Sequence, residues 1–550
     1  MNLIEKIETA FNLFILNKYN QNVLENKNIS FELNVDESKK DFGDISSNAA
    51  MVLAKVLKKK PLDIAQEICE GFKHDIVQKI EIAGPGFLNI FLKNEAFVEL
   101  LKDLFESKEG FFKLPEQAKR GKFSVEFVSA NPTGPLHIGH GRGGIIGDVL
   151  GNILRFLGNE VIKEFYINDA GSQIQKLGLS LKIRCQQELG GQVEMPEESY
   201  KGEYLIELAK LCIKENGKSV LSKDDTYFEN YAKDHLLKEI KRTLDVYGIH
   251  FDVWFSEKQL HDSGKVKEAV EKLIQSGHTY EQDGALWFRS TAFGDDKDRV
   301  IRKANGELTY AAADIAYMID KIERGADHLI MVLGQDHHSY AVRLDAIRKA
   351  LNLEKYPLDV ILYQLVKMKV SGELVRMSKR AGNIVTLKDL IETVGKDVAR
   401  FFYLNRKADA QLEFDLDLAL KRTEENPVYY AQYAYVRMNS LLQKAYEEKD
   451  FQEIISKDII SIGTEEYFLI KKLTSLKNLL KNIGENYQIH LLTYYILQLA
   501  GLFHKYYFDN KIIDKNNVSK SRARLLLVIT LKNSLETCLK LIGIDRPEKM

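Results

Sequence analysis

The sequence predicts a multidomain α/β protein in which a central parallel-sheet domain lies between an N-terminal α+β domain and a C-terminal all-helical domain. The chain has 550 residues, a length that accommodates about three or four domains. Strand, glycine-rich loop and helix patterns alternate in its middle part, and the patterns become purely helical towards its end. These observations place the domains at residues 1–112, 113–410 and 411–550, with an insertion at about 175–245.

Composition and charge narrow the class of protein. The chain is 45% apolar and 29% charged, which is typical of a folded soluble protein. Its net charge is −1, so contact with a nucleic acid would need a local basic surface. No apolar run approaches the roughly 18–20 residues of a membrane span, and acidic residues interrupt the N-terminal apolar stretch, unlike in a signal peptide. The 4 cysteines include no C-x-x-C pair, which predicts a cytoplasmic protein without a zinc ribbon or a structural metal.

The N-terminal part mixes helix and strand patterns. Apolar residues between Ile4 and Ile15 recur at helical spacing, and residues 44–57 predict a second amphipathic helix. Pro61 is expected to open a third helix. Residues 80–92 alternate on either side of Gly84-Pro-Gly86, and this pattern predicts two strands joined by a turn.

The central part predicts a parallel sheet. Alternating residues predict a strand at residues 123–127, and a glycine- and proline-containing loop leads from it into a helix that starts at about Ile138. Val161–Ile167 predicts the next strand, which completes a right-handed βαβ unit. His328–Leu333 and Leu358–Tyr363 predict two further strands. Ligands of such sheets bind at the carboxyl ends of the strands.

The remaining parts are helical in pattern. Residues 175–245 are charged with few strand signals, so we interpret them as an insertion into the sheet domain. Residues 425–438 are rich in tyrosine at helical spacing, and apolar residues keep a helical period from Leu525 to Ile542. We therefore expect a helical bundle at the end of the chain. Core packing with hydroxyls at the rim is the simplest role for its tyrosines.

The strongest chemical signal is the segment from Asn131 to His140, which directly follows a strand and opens a helix. His137 and His140 can face one ligand there, and the helix N-terminus adds N–H donors and partial positive charge. Imidazoles in this position can donate to phosphate oxygens as charge builds on them. Gly139 removes a side chain where a flat base could approach. Two histidines alone also fit a metal pair, but no nearby acid or cysteine completes a metal set.

A second signal is the basic segment Arg376-Met-Ser-Lys-Arg-Ala-Gly-Asn383. Lys379 lies between Arg376 and Arg380 in a compact cationic cluster, which could hold a triphosphate and neutralise departing pyrophosphate. The neighbouring glycines predict a mobile loop. On its own, this segment fits an exposed basic loop equally well.

The two motifs together, H-I-G-H followed far downstream by M-S-K-R on a parallel sheet, resemble the class I aminoacyl-tRNA synthetases. Longer segments resemble the arginyl-tRNA synthetase family, essentially from end to end: Val125–Arg142, Tyr166–Gly171, Leu308–Tyr317, Asn426–Tyr435 and Arg546–Met550. The resemblance implies a Rossmann-like class I synthetase catalytic domain, an N-terminal tRNA-binding domain and a C-terminal anticodon-binding domain. It also implies an arginine–tRNA ligase that is monomeric and needs tRNA present to activate its amino acid.

The resemblance assigns roles to the two motifs. His137 and His140 would stabilise the transition state of adenylate formation, and Lys379 would bind phosphates. The implied ATP-binding residues are His137, Gly139, His140, Arg376, Met377, Ser378 and Lys379. Arg376 stands where the class has lysine, which keeps the charge but not the geometry. Mg²⁺ would accompany ATP as part of the substrate complex.

The amino-acid pocket follows partly from chemistry. A guanidinium group is planar and always charged, so a specific site should present carboxylates. Tyr310 and Asp314 lie four residues apart on a predicted helix and therefore share a face. By resemblance both contact arginine, and Glu257 is the second guanidinium-binding acid. Three further residues resemble those at the substrate's α-amino and carboxylate end, although without the resemblance surface salt bridges and loop caps would explain them better: Glu126, Asn131 and Gln335.

The resemblance also implies contacts with tRNA(Arg). Phe87 and Asn89 match an aromatic and an asparagine that read a D-loop adenine, by stacking and by recognition of a base edge; a buried Phe87 is the alternative. Tyr429, Tyr430 and Arg437 could hold anticodon-loop nucleotides if they are not core residues. No DNA or membrane partner is predicted. Two competing functions are a class I synthetase for another amino acid and a catalytically silent tRNA-binding paralogue.

Overall fold

The computed structural model describes residues 2–19, 29–115, 118, 120–375 and 386–550. The predicted phosphate-binding residues Arg376, Met377, Ser378 and Lys379 lie outside the described residues. Over the described ranges, an α+β region, a region built on a parallel sheet and a helical region follow one another as predicted. The domain limits at residues 112 and 410 stay predictions. No helix in the described ranges is both long and apolar enough to cross a membrane.

The N-terminal region packs helices against an antiparallel sheet with the strand order β1-β2-β4-β3. Its elements are α1 Leu3–Tyr19, β1 Phe31–Leu33, β2 Ile45–Ser47, α2 Ala49–Leu57, α3 Pro61–Gly71, β3 Val77–Ala83, β4 Phe87–Leu92 and α4 Asn94–Ser107. The helix predicted over residues 44–57 is wrong at its start, because Ile45–Ser47 pair with both β1 and β4. The Asp44 carboxylate also accepts the Leu92 N–H at 2.9 Å. Tertiary pairing therefore overrides the local helical pattern.

The central region is a parallel sheet with the strand order β12-β11-β5-β6-β7. Its strands are β5 Lys122–Phe127, β6 Glu160–Ile167, β7 Val253–Ser256, β11 His328–Gly334 and β12 Leu358–Tyr363. The connecting helices are α5 Ile138–Phe156, α9 Glu257–Asp262, α10 Lys265–Gln275, α11 Tyr310–Glu323 and α12 His338–Ala350. The sequence patterns predicted β5, β6, β11, β12 and the start of α5 to within a residue or two, whereas β7, α9, α10 and α12 were not predicted.

Smaller elements flank this sheet. The predicted insertion is helical, as expected, and has a core of its own around Leu177, Cys212 and Phe228; its helices are α6 Ser172–Glu188, α7 Glu203–Asn216 and α8 Asp225–Val246. Two short sheets follow, formed by β8 Thr279–Gln282, β9 Ala285–Phe288 and β10 Arg299–Arg302, and by β13 Val366–Val370, β14 Glu373–Val375 and β15 Leu412–Asp415. The second of these leads to α13 Leu387–Val394 and α14 Lys396–Leu404.

The C-terminal region is a helical bundle that also packs on the N-terminal region. Its helices are α15 Leu416–Leu420, α16 Pro427–Tyr446, α17 Thr464–Asn486, α18 His490–Asp509 and α19 Val518–Leu541. The Phe97 ring of α4 stacks on Tyr467 of α17 with centroids 4.0 Å apart. Lys471 of α17 forms a 2.9 Å ion pair with Asp44. The two terminal regions therefore pack directly on each other, and their cores are continuous with that of β5 and α5.

A buried arginine fixes helix α5 to the rest of the molecule. Arg400 of α14 is fully buried and donates to Asp148 of α5 at 2.5 Å. Its other N–H groups donate to the carbonyls of Ile542, Tyr247 and Gly248. Burial opposes the ionisation of Asp148, but Arg400 and Lys163 outweigh burial and hold the pKa of Asp148 below its usual range. One side chain thus joins α5, the end of the insertion and the C-terminus.

We expect Arg400→Met to lower the free energy of unfolding by about 3 kcal/mol or more, because it leaves buried acceptors unpaired. The urea midpoint followed by circular dichroism measures this loss. Arg406→Met provides the matched control at an exposed arginine and should change the stability by less than about 0.5 kcal/mol. Equal midpoints for the two variants would contradict the anchoring role.

Candidate active site

A cavity of about 630 Å³ opens at the carboxyl ends of the parallel strands. Side chains from β5, α5, β6, α9, α11 and α12 line it, which is where ligands of such sheets bind. The lining includes these predicted residues: Glu126, Asn131, His137, Gly139, His140, Glu257, Tyr310 and Asp314. Gln335 does not line the cavity and lies in the exposed turn Gln335–His337.

The two motif histidines form a rigid stacked pair at the start of α5. Their ring centroids are 3.6 Å apart. The Gly139 N–H donates to His137 Nδ1 at 3.1 Å, and the His137 N–H donates to His140 Nδ1 at 3.2 Å. Because Nδ1 accepts in both rings, each neutral imidazole carries its proton on Nε2. Each ring is therefore set as an Nε2–H donor.

The surroundings keep both histidines uncharged. Burial, with a smaller contribution from the neighbouring His137, lowers the pKa of His140 to about 3. Burial also lowers the pKa of His137, although Asp336 opposes this effect. At neutral pH the pair therefore donates hydrogen bonds without adding a full positive charge. No group of 3 or more potential metal ligands occurs within the described residues.

Gly139 is required by the histidine pair itself. A Cβ at this position would lie 2.9 Å from His137 Cε1, inside van der Waals contact. The same holds one turn later, where a Cβ at Gly143 would lie 2.5 Å from the Tyr363 ring. The glycines of this motif thus allow close packing of α5, a different reason from the open approach for a base that the sequence suggested.

The start of α5 is held from the far side by the segment that follows residue 385. The Leu387 N–H donates to the Leu136 carbonyl at 2.8 Å, and Tyr403 Oη donates to the Ile138 carbonyl at 2.7 Å. Thr386 forms an antiparallel bridge with His137. Thr386, the first described residue after the basic segment, therefore lies directly beside the histidine pair.

A strained turn follows β5. Val128 and Ser129 have φ values of +67° and +41°, a conformation that is a genuine outlier for a β-branched residue and costs about 1–3 kcal/mol per residue. The turn lets Ser129 Oγ accept from the Tyr166 N–H at 3.1 Å and donate to Glu126 at 3.0 Å. Lys321 also donates to Glu126 at 2.5 Å, so its carboxylate is already charge-paired.

Asp314 projects from α11 into the cavity, one turn after Tyr310, and is held by two groups of α12. Tyr340 Oη donates to Asp314 Oδ1, and Arg343 Nη2 donates to Asp314 Oδ2, each at 3.0 Å. Burial raises the pKa of Asp314 to about 6, against the opposing effects of Arg343 and Tyr340. The carboxylate is thus mostly ionised at neutral pH, although its pKa lies only a little below 7.

Glu257 begins α9 and also lines the cavity. The Asp169 carboxylate accepts from Ser256 Oγ at 2.7 Å and from the Lys258 N–H at 3.0 Å, which fixes the backbone on both sides of Glu257. Burial raises the pKa of Glu257 to about 7; a hydrogen bond from Tyr166 opposes this rise, and Asp314 adds to it. The cavity therefore holds two carboxylates that a bound cation would stabilise.

Several lining residues escaped the sequence reasoning. They are Tyr166, Asn168, Tyr340 and Arg343. Asn168 Oδ1 is buried and has no hydrogen-bond partner within the described residues, so it can accept from a ligand. Tyr166 and Asn168 belong to the segment Tyr166–Gly171, whose resemblance to the family could have identified them. Tyr340 and Arg343 carry no sequence signal of their own.

The predicted RNA-facing residues differ in exposure. Phe87 is 41% exposed at the start of β4, whereas Asn89 is only 7% exposed on the same strand. On α16, Tyr429 and Tyr430 are half-buried, and Arg437 donates to Tyr433 Oη at 2.8 Å and to His504 at 3.2 Å. Tyr433 lies four residues from both Tyr429 and Arg437 and so shares their face of α16.

Family models match three segments of the chain. The arginyl tRNA synthetase N terminal domain matches residues 2–92, the catalytic domain of tRNA synthetases class I (R) matches residues 103–413, and the DALR anticodon binding domain matches residues 431–550. The chain belongs to the arginyl-tRNA synthetase family. This membership confirms the predicted family and enzyme class.

Relatives and solved structures agree with this membership. An arginine–tRNA ligase of Bacillus subtilis (strain 168) is 43% identical over 518 residues, 93% of each chain, and one of Citrifermentans bemidjiense is 42% identical over 518 residues, again 93% of each. A putative arginyl-tRNA synthetase of Campylobacter jejuni has a TM-score of 0.77 at 36% identity and covers 84% of this chain and 100% of its own. The Thermus thermophilus arginyl-tRNA synthetase has a TM-score of 0.75 at 21% identity over the whole of both chains. The predicted fold class of this family member is confirmed.

Proposed function

We propose that this family member is an arginine–tRNA ligase. The observation that carries the proposal is the pair of carboxylates, Glu257 and Asp314, which face one cavity that also holds the histidine pair of α5. Two acids in one cavity suit a planar cation such as guanidinium. Arg343 already pairs with Asp314, but a neutral amino-acid side chain would bring no positive charge to offset the second buried carboxylate, which is costly.

The first half-reaction joins arginine to ATP. A carboxylate oxygen of arginine attacks the α-phosphorus, the bond to the β-phosphate oxygen breaks, and pyrophosphate leaves. The Nε2–H groups of His137 and His140 donate to the phosphate oxygens as charge builds on them, and the N–H groups at the start of α5 add to this effect. Lys379, with Arg376, Met377 and Ser378, would bind the phosphates from the segment outside the described residues. Mg²⁺ enters with ATP.

The second half-reaction transfers the arginyl group. A hydroxyl of the terminal ribose of tRNA(Arg) attacks the carbonyl carbon of arginyl-adenylate, and AMP leaves. Catalysis in both steps is mainly positioning and charge stabilisation. Asn131 and Glu126 would lie at the α-amino and carboxylate end of the substrate; Gln335 would have to reach this end from an exposed turn.

Two surfaces would bind the tRNA. Phe87 is exposed enough to stack on a base, and Asn89 would take part only if its buried amide became accessible. On α16, Tyr429, Tyr430 and Arg437 would contact the anticodon loop, where Arg437 already packs over the Tyr433 ring with its Cζ 4.6 Å from the centroid. Aromatic rings beside an arginine suit unpaired bases. We further propose a cytoplasmic protein, because all 4 cysteines are free thiols, and a monomer, which is the form that the resemblance implies.

Pyrophosphate exchange into ATP tests the activity. Purified protein is assayed with each amino acid, with and without total tRNA. We expect exchange with arginine alone among the amino acids, and only when tRNA is present. Exchange with a different amino acid would contradict the arginine pocket. A folded protein that binds tRNA but exchanges no pyrophosphate would be a catalytically silent paralogue.

A further inference from the structure

The contact between Asp314 and Arg343 is unexpected in a site for arginine. Asp314 is the proposed acid for the substrate guanidinium, yet it already receives a guanidinium from α12 at 3.0 Å. Arg343 is mostly buried and lies over the Tyr340 ring, with its Cζ 4.8 Å from the centroid. Its Nε is buried and has no hydrogen-bond partner among the described residues. The side chain is therefore built into the wall of the cavity.

Two opposite roles fit this contact. Arg343 could compete with the substrate for Asp314, or it could prepare Asp314 for the substrate. The hydrogen bonds favour preparation. A carboxylate has about four lone-pair sites, and Tyr340 and Arg343 use one on each oxygen. Both oxygens thus keep an acceptor site for a second, bidentate guanidinium.

The charges around Asp314 also favour preparation. The groups that face it are Arg343 and Tyr340 of α12, Glu126 of β5, Tyr166 of β6 and Glu257 of α9. Lys321 neutralises Glu126, and His261 lies 3.7 Å from Glu257. Arg343 is the cation in direct contact with Asp314, where it offsets the repulsion from Glu257. Like charges that share a buried site drive one of them to take up a proton.

We propose that Arg343 is a positioning residue for arginine recognition, which keeps Asp314 ionised and fixes its carboxylate with one free acceptor site per oxygen. This inference rests on the proposed function, because it takes Asp314 as a contact of the substrate. Arg343 itself acts through Asp314.

The pH dependence follows from the sign of the effect. Burial raises the pKa of Asp314 to about 6, and Arg343 opposes that rise. Removing Arg343 therefore raises the pKa of Asp314 further, so the carboxyl group is largely protonated at neutral pH. Arginine must then displace a proton on binding, and this becomes harder as the pH falls.

Steady-state charging of tRNA by the full-length enzyme between about pH 6 and pH 9 tests the inference, since kcat/KM reports the pKa values of the free enzyme. For Arg343→Met we expect the KM for arginine to rise about tenfold at neutral pH and the acid limb of kcat/KM to move up by about one pH unit. The KM for ATP should not change. Arg343→Lys should return the acid limb of kcat/KM to its wild-type position, but the KM for arginine should recover only in part. Arg348→Met is the matched control on the same helix, paired with Asp345 outside the cavity, and should behave as wild type.

Three results would overturn the inference. A lower KM for arginine in Arg343→Met would show that Arg343 competes with the substrate. An unchanged KM, in a series where Asp314→Asn still loses arginine affinity, would show that Arg343 has no role in recognition. A loss of kcat that is equal at every pH would indicate a merely structural role. If the wild-type enzyme itself fails to charge with arginine, the proposed function fails first.

Discussion

Replacing Asp314 by asparagine is expected to raise the KM for arginine by about a hundredfold or more. The substitution removes one charge of a buried carboxylate–guanidinium pair, a loss of about 3–5 kcal/mol, while it keeps the shape of the side chain. It also leaves Arg343 facing a neutral amide. The KM for ATP should change little, because the histidine pair lies on α5 and Asp314 lies on α11.

The measurement is the initial rate of tRNA charging as a function of arginine concentration. Asp345→Asn provides the matched control, since Asp345 is also paired with an arginine, on α12, but lies outside the cavity. Circular dichroism verifies that both variants fold. An arginine KM equal to that of the wild type would show that Asp314 does not contact the substrate. The inference of an arginine substrate from the two carboxylates would then fail.

The parts of the fold that were predictable are those with a local signal. The alternation at β5 and the helical period of α5 placed the histidine pair at a strand–helix junction, and the spacing of Tyr310 and Asp314 placed both on one helix. These features depend on neighbours within about one turn of the chain. Glu257 came from the family resemblance alone, and the short strand β7 that precedes it was not predicted.

The parts that were missed depend on contacts between distant segments. Residues 45–47 read as helix but pair as a strand with β4, which lies more than 40 residues later. Arg343 and Tyr340 reach Asp314 from a different helix, and no pattern within α12 marks them. The sequence could not show why Gly139 is a glycine, because the reason is the position of the His137 ring next to it. Gln335 carried a family resemblance, but it does not line the cavity, although Asp336 and His337 of the same turn do.

The pH dependence of the wild-type enzyme should come from the carboxylates and not from the histidines. The pKa of Glu257 is raised to about 7 and that of Asp314 to about 6, so both protonate as the pH falls through this range. The pKa of His140 is lowered to about 3, so its ring stays neutral throughout. Arginine recognition should therefore depend on pH in this range, whereas the hydrogen bonds that the histidines donate to the phosphate should not.

Replacing His140 by alanine is expected to lower kcat for adenylate formation by about 10²–10³-fold, the usual loss for one preorganised donor to a developing oxyanion. His140→Gln keeps an amide N–H at about the reach of Nε2 and should retain part of the rate. Because the wild-type ring is neutral, the loss should be the same between about pH 6 and pH 8. That behaviour would separate a hydrogen-bond donor from a charged imidazolium, whose contribution would vanish at high pH.

Arginine- and tRNA-dependent pyrophosphate exchange measures the effect, with the KM for arginine recorded in the same series. His250→Gln provides the control, since His250 is exposed and pairs only with Asp245 among the ion pairs of the described residues. Loss of the His140 ring also removes the acceptor for the His137 N–H, so the glutamine variant shows how much of the effect comes from the helix start. A normal kcat with a raised KM for arginine would show that His140 contacts the amino acid and not the phosphate. An alanine variant as fast as the wild type would show that His140 is not needed, so that His137 is the donor from this motif.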